Sequence, residues 1–317
     1  MKWLALLSLS MATAIYAAED KPIAETFLDP VKAGQDYKDQ GEYKNDWGAA
    51  QIIALGEGNF RMVTYKGGLP GAGWDKEYKQ ETPGKREGDK IVFTGANNYR
   101  AELANGKITI TNDSGGPYTM EKTVRQSPTL GAKPPPGAIV LFEGTSADAW
   151  TGGHMDDRHL LVAGSTSKQS FTNFAAHVEF LLPFKPLGRG QDRGNSGVYL
   201  QDRYEVQVLD SFGLKGENNE CGGIYTLAKP AVNMCFPPLT WQTYDVDFTS
   251  AKYDESGKKA KNAVVTIKHN GVPIHENLEL KGPTPGNGKP EDASGGPLQL
   301  QGHGNPVFYR NIWVVPK

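Results

Sequence analysis

No charge of either sign dominates this chain. Over 317 residues, 34 basic side chains face 36 acidic ones, for a net charge of −2. There is no field to hold nucleic acid or an anionic membrane surface. Cysteine is scarce, with only Cys221 and Cys235 present, and no histidine stands near either at ligand spacing, which argues against a metal pair. Apolar residues at helical spacing are missing outside the N-terminus, so a helical class is disfavoured. After the N-terminus no apolar run approaches the ~20 residues that span a bilayer, so no membrane span is expected in the mature chain. The glycine-rich stretch "KGGLPGAGWD" lacks the lysine-serine ending and the strand-to-helix setting of a phosphate loop, and nucleotide binding is not expected there.

What the chain does have is glycine (38), proline (21), tyrosine (13) and tryptophan (6). That mixture suits short strands joined by turns, an all-β protein. The opening "MKWLALLSLSMATAIYAAEDKP" has a lysine, an apolar stretch to Ile15 and small residues at Ala17 and Ala18. It reads as a cleavable signal peptide over residues 1–18, which places the mature protein in the periplasm or outside the cell. In that oxidising setting Cys221 and Cys235 are expected to form a disulfide, worth about 3 kcal/mol on the chain-entropy model.

Three consecutive prolines, Pro134–Pro136, mark an extended connector over 133–137 between two β-rich regions. Residues 19–132 form a small β-domain. It holds a hairpin in "AQIIALGEGNFRMVTY" and a second in "YRAELANGKITITN", where Asn105-Gly106 supplies the turn. Trp74 sits in the glycine-rich loop between them, where it can contact a sugar, another domain or its own loop. Residues 138–317 carry dense strand signals, including a hairpin at Asn270-Gly271, and read as a two-sheet sandwich or jelly roll.

Four strands in this second region share an unusual pattern. In "RYEVQVLD", Tyr204, Val206 and Val208 alternate with Glu205 and Gln207. "GVYLQD" sets Tyr199 and Gln201 against Val198 and Leu200. "PLQLQGHG" sets Gln299, Gln301 and His303 against Leu298 and Leu300, and "AAHVEFLL" sets His177 and Glu179 against Val178 and Phe180. One face is for the core. The other carries amides, which both donate and accept, with carboxylates, imidazoles and an aromatic ring. That chemistry suits a polyhydroxylated ligand lying in a groove, although the wet face of an antiparallel sheet must carry something polar in any case.

"LFEGTSADAW", "GNSGVYLQDRYEVQVLDSFG", "ECGGIY", "WQTYDVDF", "HNGVPIHEN" and "PLQLQGHGNPVFYRNIWV" occur in order from about Ala138 to the C-terminus. Together they resemble the 3-keto-disaccharide hydrolase, or 3-keto-glucoside lyase/hydratase, domain family. The resemblance implies a concanavalin A-like jelly-roll sandwich that cleaves sugars already oxidised at C3. A C3 ketone acidifies the C2 hydrogen, so a base can remove it, the C1 glycosidic oxygen can leave, and water can add to the enone. Such a site needs a base, an acid and donors for the enolate oxygen. Glu205 or His303 is the candidate base, with the other, or Asp210, as acid. Arg193 is a candidate charge donor to the enolate, and Asn195, Tyr199, Gln207, Gln299 and Gln301 would position hydroxyls.

Two other readings compete. In a retaining glycosidase two carboxyl groups lie about 5–5.5 Å apart, whereas positions 205 and 210 on an unbulged strand are ~16 Å apart. A non-catalytic, lectin-like glycan-binding module would need the polar face without an acid or base. No cofactor is expected. A divalent cation on Glu205 and Asp210 stays open, since no motif of fixed metal spacing is present.

Overall fold

The computed structural model describes residues 25–286 and 288–317; the expected signal peptide lies outside them. A short helix, α1 (Gly34–Asp39), leads into eight strands: β1 (Gly41–Lys44), β2 (Gly48–Gly56), β3 (Asn59–Lys66), β4 (Lys79–Glu87), β5 (Lys90–Thr94), β6 (Arg100–Ala104), β7 (Lys107–Asn112) and β8 (Gly115–Thr123). Each pairs antiparallel with the next and β8 returns to β1, closing a barrel. Strand alternation turns Ala50, Ile52, Phe60, Met62, Ile91, Phe93, Leu103 and Ile108 into its interior. The β6–β7 hairpin turns on Asn105 (φ 50°) and Gly106 (φ 73°), the two left-handed residues that a tight hairpin requires.

Residues 124–138 contribute no strand. Fourteen more strands follow: β9 (Ile139–Phe142), β10 (Trp150–Thr151), β11 (Leu161–Val162), β12 (Ser165–Phe171), β13 (Phe174–Leu181), β14 (Asn195–Leu200), β15 (Tyr204–Leu209), β16 (Gln242–Thr249), β17 (Lys252–Tyr253), β18 (Lys259–Lys261), β19 (Ala263–His269), β20 (Val272–Leu280), β21 (Gly296–Leu300) and β22 (Phe308–Pro316). A five-stranded sheet, in the order β10-β12-β21-β14-β15, faces a seven-stranded one built on β11-β22-β13-β16-β19-β20, with β9 paired to β22. Between them lies the main core, with Val198, Leu200, Tyr204, Val206, Val208, Leu298 and Leu300 from one sheet. Val178, Phe180, Tyr244, Val246, Val265 and Ile267 come from the other. Each such fully buried large side chain contributes on the order of 1.5–3 kcal/mol. The protein is therefore all-β, a two-sheet jelly-roll sandwich preceded by a small β-domain.

Barrel and sandwich meet along a packed seam. Ile53, Val63 and Tyr65, on the outside of the barrel, close over Phe212 of the sandwich. Trp74 packs into this seam and against the sandwich core, and donates its indole N–H to Tyr78 O at 2.9 Å. Of the roles open to it in the sequence, the fold shows contact with the other domain and a hydrogen bond within its own loop.

Candidate active site

The outer face of β14, β15 and β21 brings together most of the residues singled out by alternation. Tyr199 stands opposite Glu205 on one side and Gln299 on the other. In the next row Gly197 stands opposite Gln207, and its carbonyl accepts the backbone N–H of Gln301 at 2.8 Å. Gly197 makes room for the carboxylate, because a Cβ there would lie 2.3 Å from Glu205 Oε1. The Tyr199 hydroxyl donates to Glu205 Oε2 at 2.7 Å, and Gln301 Nε2 donates to the same hydroxyl at 3.3 Å.

This face is not the open wet surface that alternation suggested. β15 is the edge strand, and the following loop folds back along it: Gln207 N–H donates to Gly223 O, Gly222 N–H to Gln207 O and Tyr225 N–H to Glu205 O. Thr284 caps the other end, its hydroxyl accepting Glu205 N–H at 3.1 Å. Glu205 is consequently only 3% exposed and Gln207 1%. Exposure grows across the sheet, through half-buried Gln299 and Gln301 to an exposed His303, so this face is most accessible on the β21 side.

Burial without compensation sets the chemistry of Glu205. Among the described residues no basic side chain pairs with it. Desolvation pushes its pKa up from the ordinary carboxylate range to about 7, against the smaller lowering by the Tyr199 hydrogen bond. At neutral pH such a group can accept a proton and return it. The same face carries acceptors with nothing to accept: Gln301 Oε1, whose amide also donates to the Tyr199 hydroxyl, and Asn195 Oδ1, two rows along β14, are buried without a hydrogen-bond partner. Unsatisfied buried amides in a native fold call for a ligand or water.

Gln191 was not singled out in the sequence, yet it ties this group together. Its Oε1 accepts from Asn195 Nδ2 at 3.1 Å and from Gln207 Nε2 at 2.9 Å. It lies in a single 3-10 turn, Gly190–Asp192, where no strand alternation could mark it. Gly197 was equally silent, since a missing side chain gives no pattern.

Other expectations are corrected. Arg193 and Asp210 are not presented to this face. They pair with each other, Nε to Oδ2 at 2.8 Å, and the guanidinium also donates to Pro186 O and, across the seam, to Ala54 O at 3.1 Å. Asp210 Oδ1 further accepts Phe212 N–H, so the pair holds the β15 end and the barrel together. A shared cation on Glu205 and Asp210 has no support in this arrangement. His177 and Glu179 leave the groove altogether, because β13 belongs to the seven-stranded sheet. β21 ends at Leu300, which puts His303 in the loop beyond it. Cys221 and Cys235 are buried free thiols rather than a disulfide. The Cys221 thiol meets the Tyr244 hydroxyl at 3.2 Å, and Cys235 lies 3.5 Å from Leu209 O.

The sandwich has a counterpart among solved structures. A solved structure from Parabacteroides distasonis ATCC 8503, named as a candidate glycosyl hydrolase, is 33% identical, with TM-score 0.53 over 58% of this chain and 85% of that one. A second structure of the same name and source is 18% identical, covering 57% of this chain and 94% of that one with TM-score 0.42. No curated protein matches. The family model described as the 3-keto-alpha-glucoside-1,2-lyase-like domain matches residues 137–315. That span covers the whole sandwich and more than half of the chain, and the protein belongs to that family.

Proposed function

We propose that the protein is an exported enzyme that cleaves 3-keto-glycosides by elimination followed by hydration. The observation that carries this reading is Glu205, a buried carboxylate with no cation beside it and a pKa raised to about 7, on a face that carries amides with free acceptors. Glu205 takes the hydrogen from C2, and the C2–H electron pair forms the C1–C2 double bond as the C1–O bond breaks. The departing oxygen takes a proton, and exposed His303 on the accessible β21 side is the group assigned to supply it. Gln301 Oε1 and Asn195 Oδ1 accept from the sugar's hydroxyls, the second N–H of Gln301 Nε2, whose first is given to Tyr199, is assigned to the C3 enolate oxygen, and Gln207 and Gln299 line the approach. Water then adds to C1 of the enone, giving up a proton to His303, while protonated Glu205 returns its proton to C2, releasing a 3-keto sugar and restoring both groups. Tyr199 is a positioning residue that holds the carboxylate over Gly197.

Product release from a panel of 3-keto-glucosides tests the reading. Glu205→Gln is expected to lower kcat/KM by about 10²–10⁴ with the fold intact, the usual worth of a general base, and His303→Ala to lower it less. Turnover that survives Glu205→Gln would overturn the assignment. Glycan binding without turnover on any member of the panel would leave a sugar-binding module. Export is checked by fractionation and N-terminal sequencing, with a mature chain beginning near residue 19 expected.

A further inference from the structure

The barrel carries a second site. Its interior is apolar through the middle, but at one end the same inward-facing positions change character. On β3 the inward series Phe60, Met62 is followed by Thr64 and Lys66; on β7, Ile108 and Ile110 are followed by Asn112. Tyr78 and Gln80 at the start of β4, Tyr99 before β6 and Tyr118 on β8 complete the wall with Trp47. They enclose a pocket of about 520 Å³ floored by Ile110 and Met120, within the ~300–1,000 Å³ of small-molecule sites, which favour the mouths of β-barrels.

Three features define what fits there. First, the aromatic rings are offered rather than packed away: Trp47 is 53% exposed, Tyr78 48% and Tyr118 39%. Trp47 and Tyr118 meet edge to face at 5.6 Å, so their faces stand at a steep angle to each other. Second, Tyr99 lines the pocket and its hydroxyl is buried in the wall with no hydrogen-bond partner, an unmet donor and acceptor. Third, the mouth offers no uncompensated charge to an ionic ligand, because Lys66, the one ionised lining residue, is within 3.8 Å of Asp75. Aromatic rings stack on the apolar faces of pyranoses, and amides and hydroxyls match their rims. A site for a fatty acyl chain would be lined by aliphatic side chains rather than by this wall of aromatic rings and amides.

From this we infer that the open end of the barrel, walled by Trp47, Tyr78, Tyr99 and Tyr118, binds a short neutral oligosaccharide and holds glycan beside the sandwich. The choice of carbohydrate among neutral ligands rests on the sugar-processing reading of the sandwich, but binding here requires neither a 3-keto group nor turnover.

The test is calorimetric titration of the purified full chain with unoxidised tetrasaccharides of α-1,4-, β-1,4- and β-1,3-linked glucose, run apart from any activity assay. At least one is expected to bind. Trp47→Ala, at an exposed position, is expected to weaken it about tenfold or more, as loss of an aromatic anchor does. Tyr99→Phe, which keeps the ring and removes only the unpartnered hydroxyl, is expected to weaken it about fivefold. Glu205→Gln is expected to leave it unchanged. No binding at about 10 mM sugar, or binding abolished by Glu205→Gln and indifferent to Trp47→Ala, overturns the inference. So does displacement of a naphthylamine lipid probe by fatty acid but not by sugar. Failure of the 3-keto panel, with this binding intact, would cost the elimination mechanism and leave the barrel site standing.

Discussion

Two glutamates occupy equivalent places on opposite faces of the sandwich and end with opposite chemistry. Glu205 on β15 and Glu179 on β13 each alternate with core residues on a strand, and each is buried, 3% and 1% exposed. Burial alone pushes both pKa values up. For Glu179 that push is outweighed by four partners: His177, Asn311 Nδ2 at 2.9 Å, Arg310 Nε at 2.7 Å and the Gly131 N–H, leaving a pKa of about 2. Glu205 receives one neutral hydroxyl and stays near 7. The same residue type at the same depth is a permanently charged tether in one sheet and, in the proposed reading, a proton carrier in the other. The number of donors around the carboxylate decides which.

Exchanging the consequences of the two sites breaks or confirms that contrast. The largest effect on activity is the loss in Glu205→Gln; Glu179→Gln is expected to leave turnover within a few-fold and to act on stability instead. Removing one partner of a buried ion cluster costs about 3 kcal/mol, read as a lower denaturant midpoint. His177, hydrogen-bonded to Asp245 at 2.6 Å, is left buried beside its remaining partner. A Glu179→Gln variant that is stable but inactive would erase the contrast.

Stability against pH separates the pair by sign. Glu205 binds its proton more tightly folded than unfolded, so its burial costs nothing below about pH 4.5 and destabilises increasingly as pH rises through about 7. Glu205→Gln is therefore expected to raise stability at pH 8 by up to about 3 kcal/mol, the equivalent of its shift, and to make no difference at pH 4. Glu179 runs the other way. Its contribution is present above the unfolded carboxylate value and is lost as pH falls through about 2. Denaturant midpoints of the two variants across pH 3–8 are expected to diverge, and parallel curves would show that the two carboxylates are held alike.

Gly197 links this contrast to geometry. A Cβ at 197 would meet Glu205 Oε1 at 2.3 Å, so Gly197→Ala must displace the carboxylate from Tyr199. Activity is expected to fall about tenfold to a hundredfold, as for a misplaced catalytic group, with only a small change in denaturant midpoint. Unaltered activity would mean that the carboxylate's position over Gly197 is immaterial.

Period-two alternation made most of this legible in the sequence. It separated Val206 and Val208 from Glu205 and Gln207, and Leu298 and Leu300 from Gln299, because side-chain direction in a strand is a local property. Which sheet a strand joins is not local, and so "AAHVEFLL" looked like a fourth wall of the groove when it lies across the core. Nor does alternation report the loop that folds onto the edge of β15, whose backbone pairing turns a wet face into a buried one and gives Glu205 its raised pKa. The ion pair of Arg193 with Asp210 joins residues 17 positions apart and forms only once β14 and β15 pair. The barrel was legible as two hairpins, but its closure depends on β1 meeting β8, strands that are far apart in the chain.

Tyr199 gives the finest measure of the contrast. Among the described residues its hydroxyl is the one side-chain donor that opposes desolvation at Glu205, and it favours the charged form. Tyr199→Phe keeps the ring in its buried place and removes that donor, so the Glu205 pKa must move further up, by about one unit if the bond is of ordinary strength. In its proposed role as base Glu205 works deprotonated, so the acid limb of kcat/KM against pH is expected to shift upward by that amount. Activity would then fall at pH 7 and recover near pH 9. A merely structural role would lower the whole profile without moving its limb. A limb that stays in place would mean that a carboxylate other than Glu205 controls the proton.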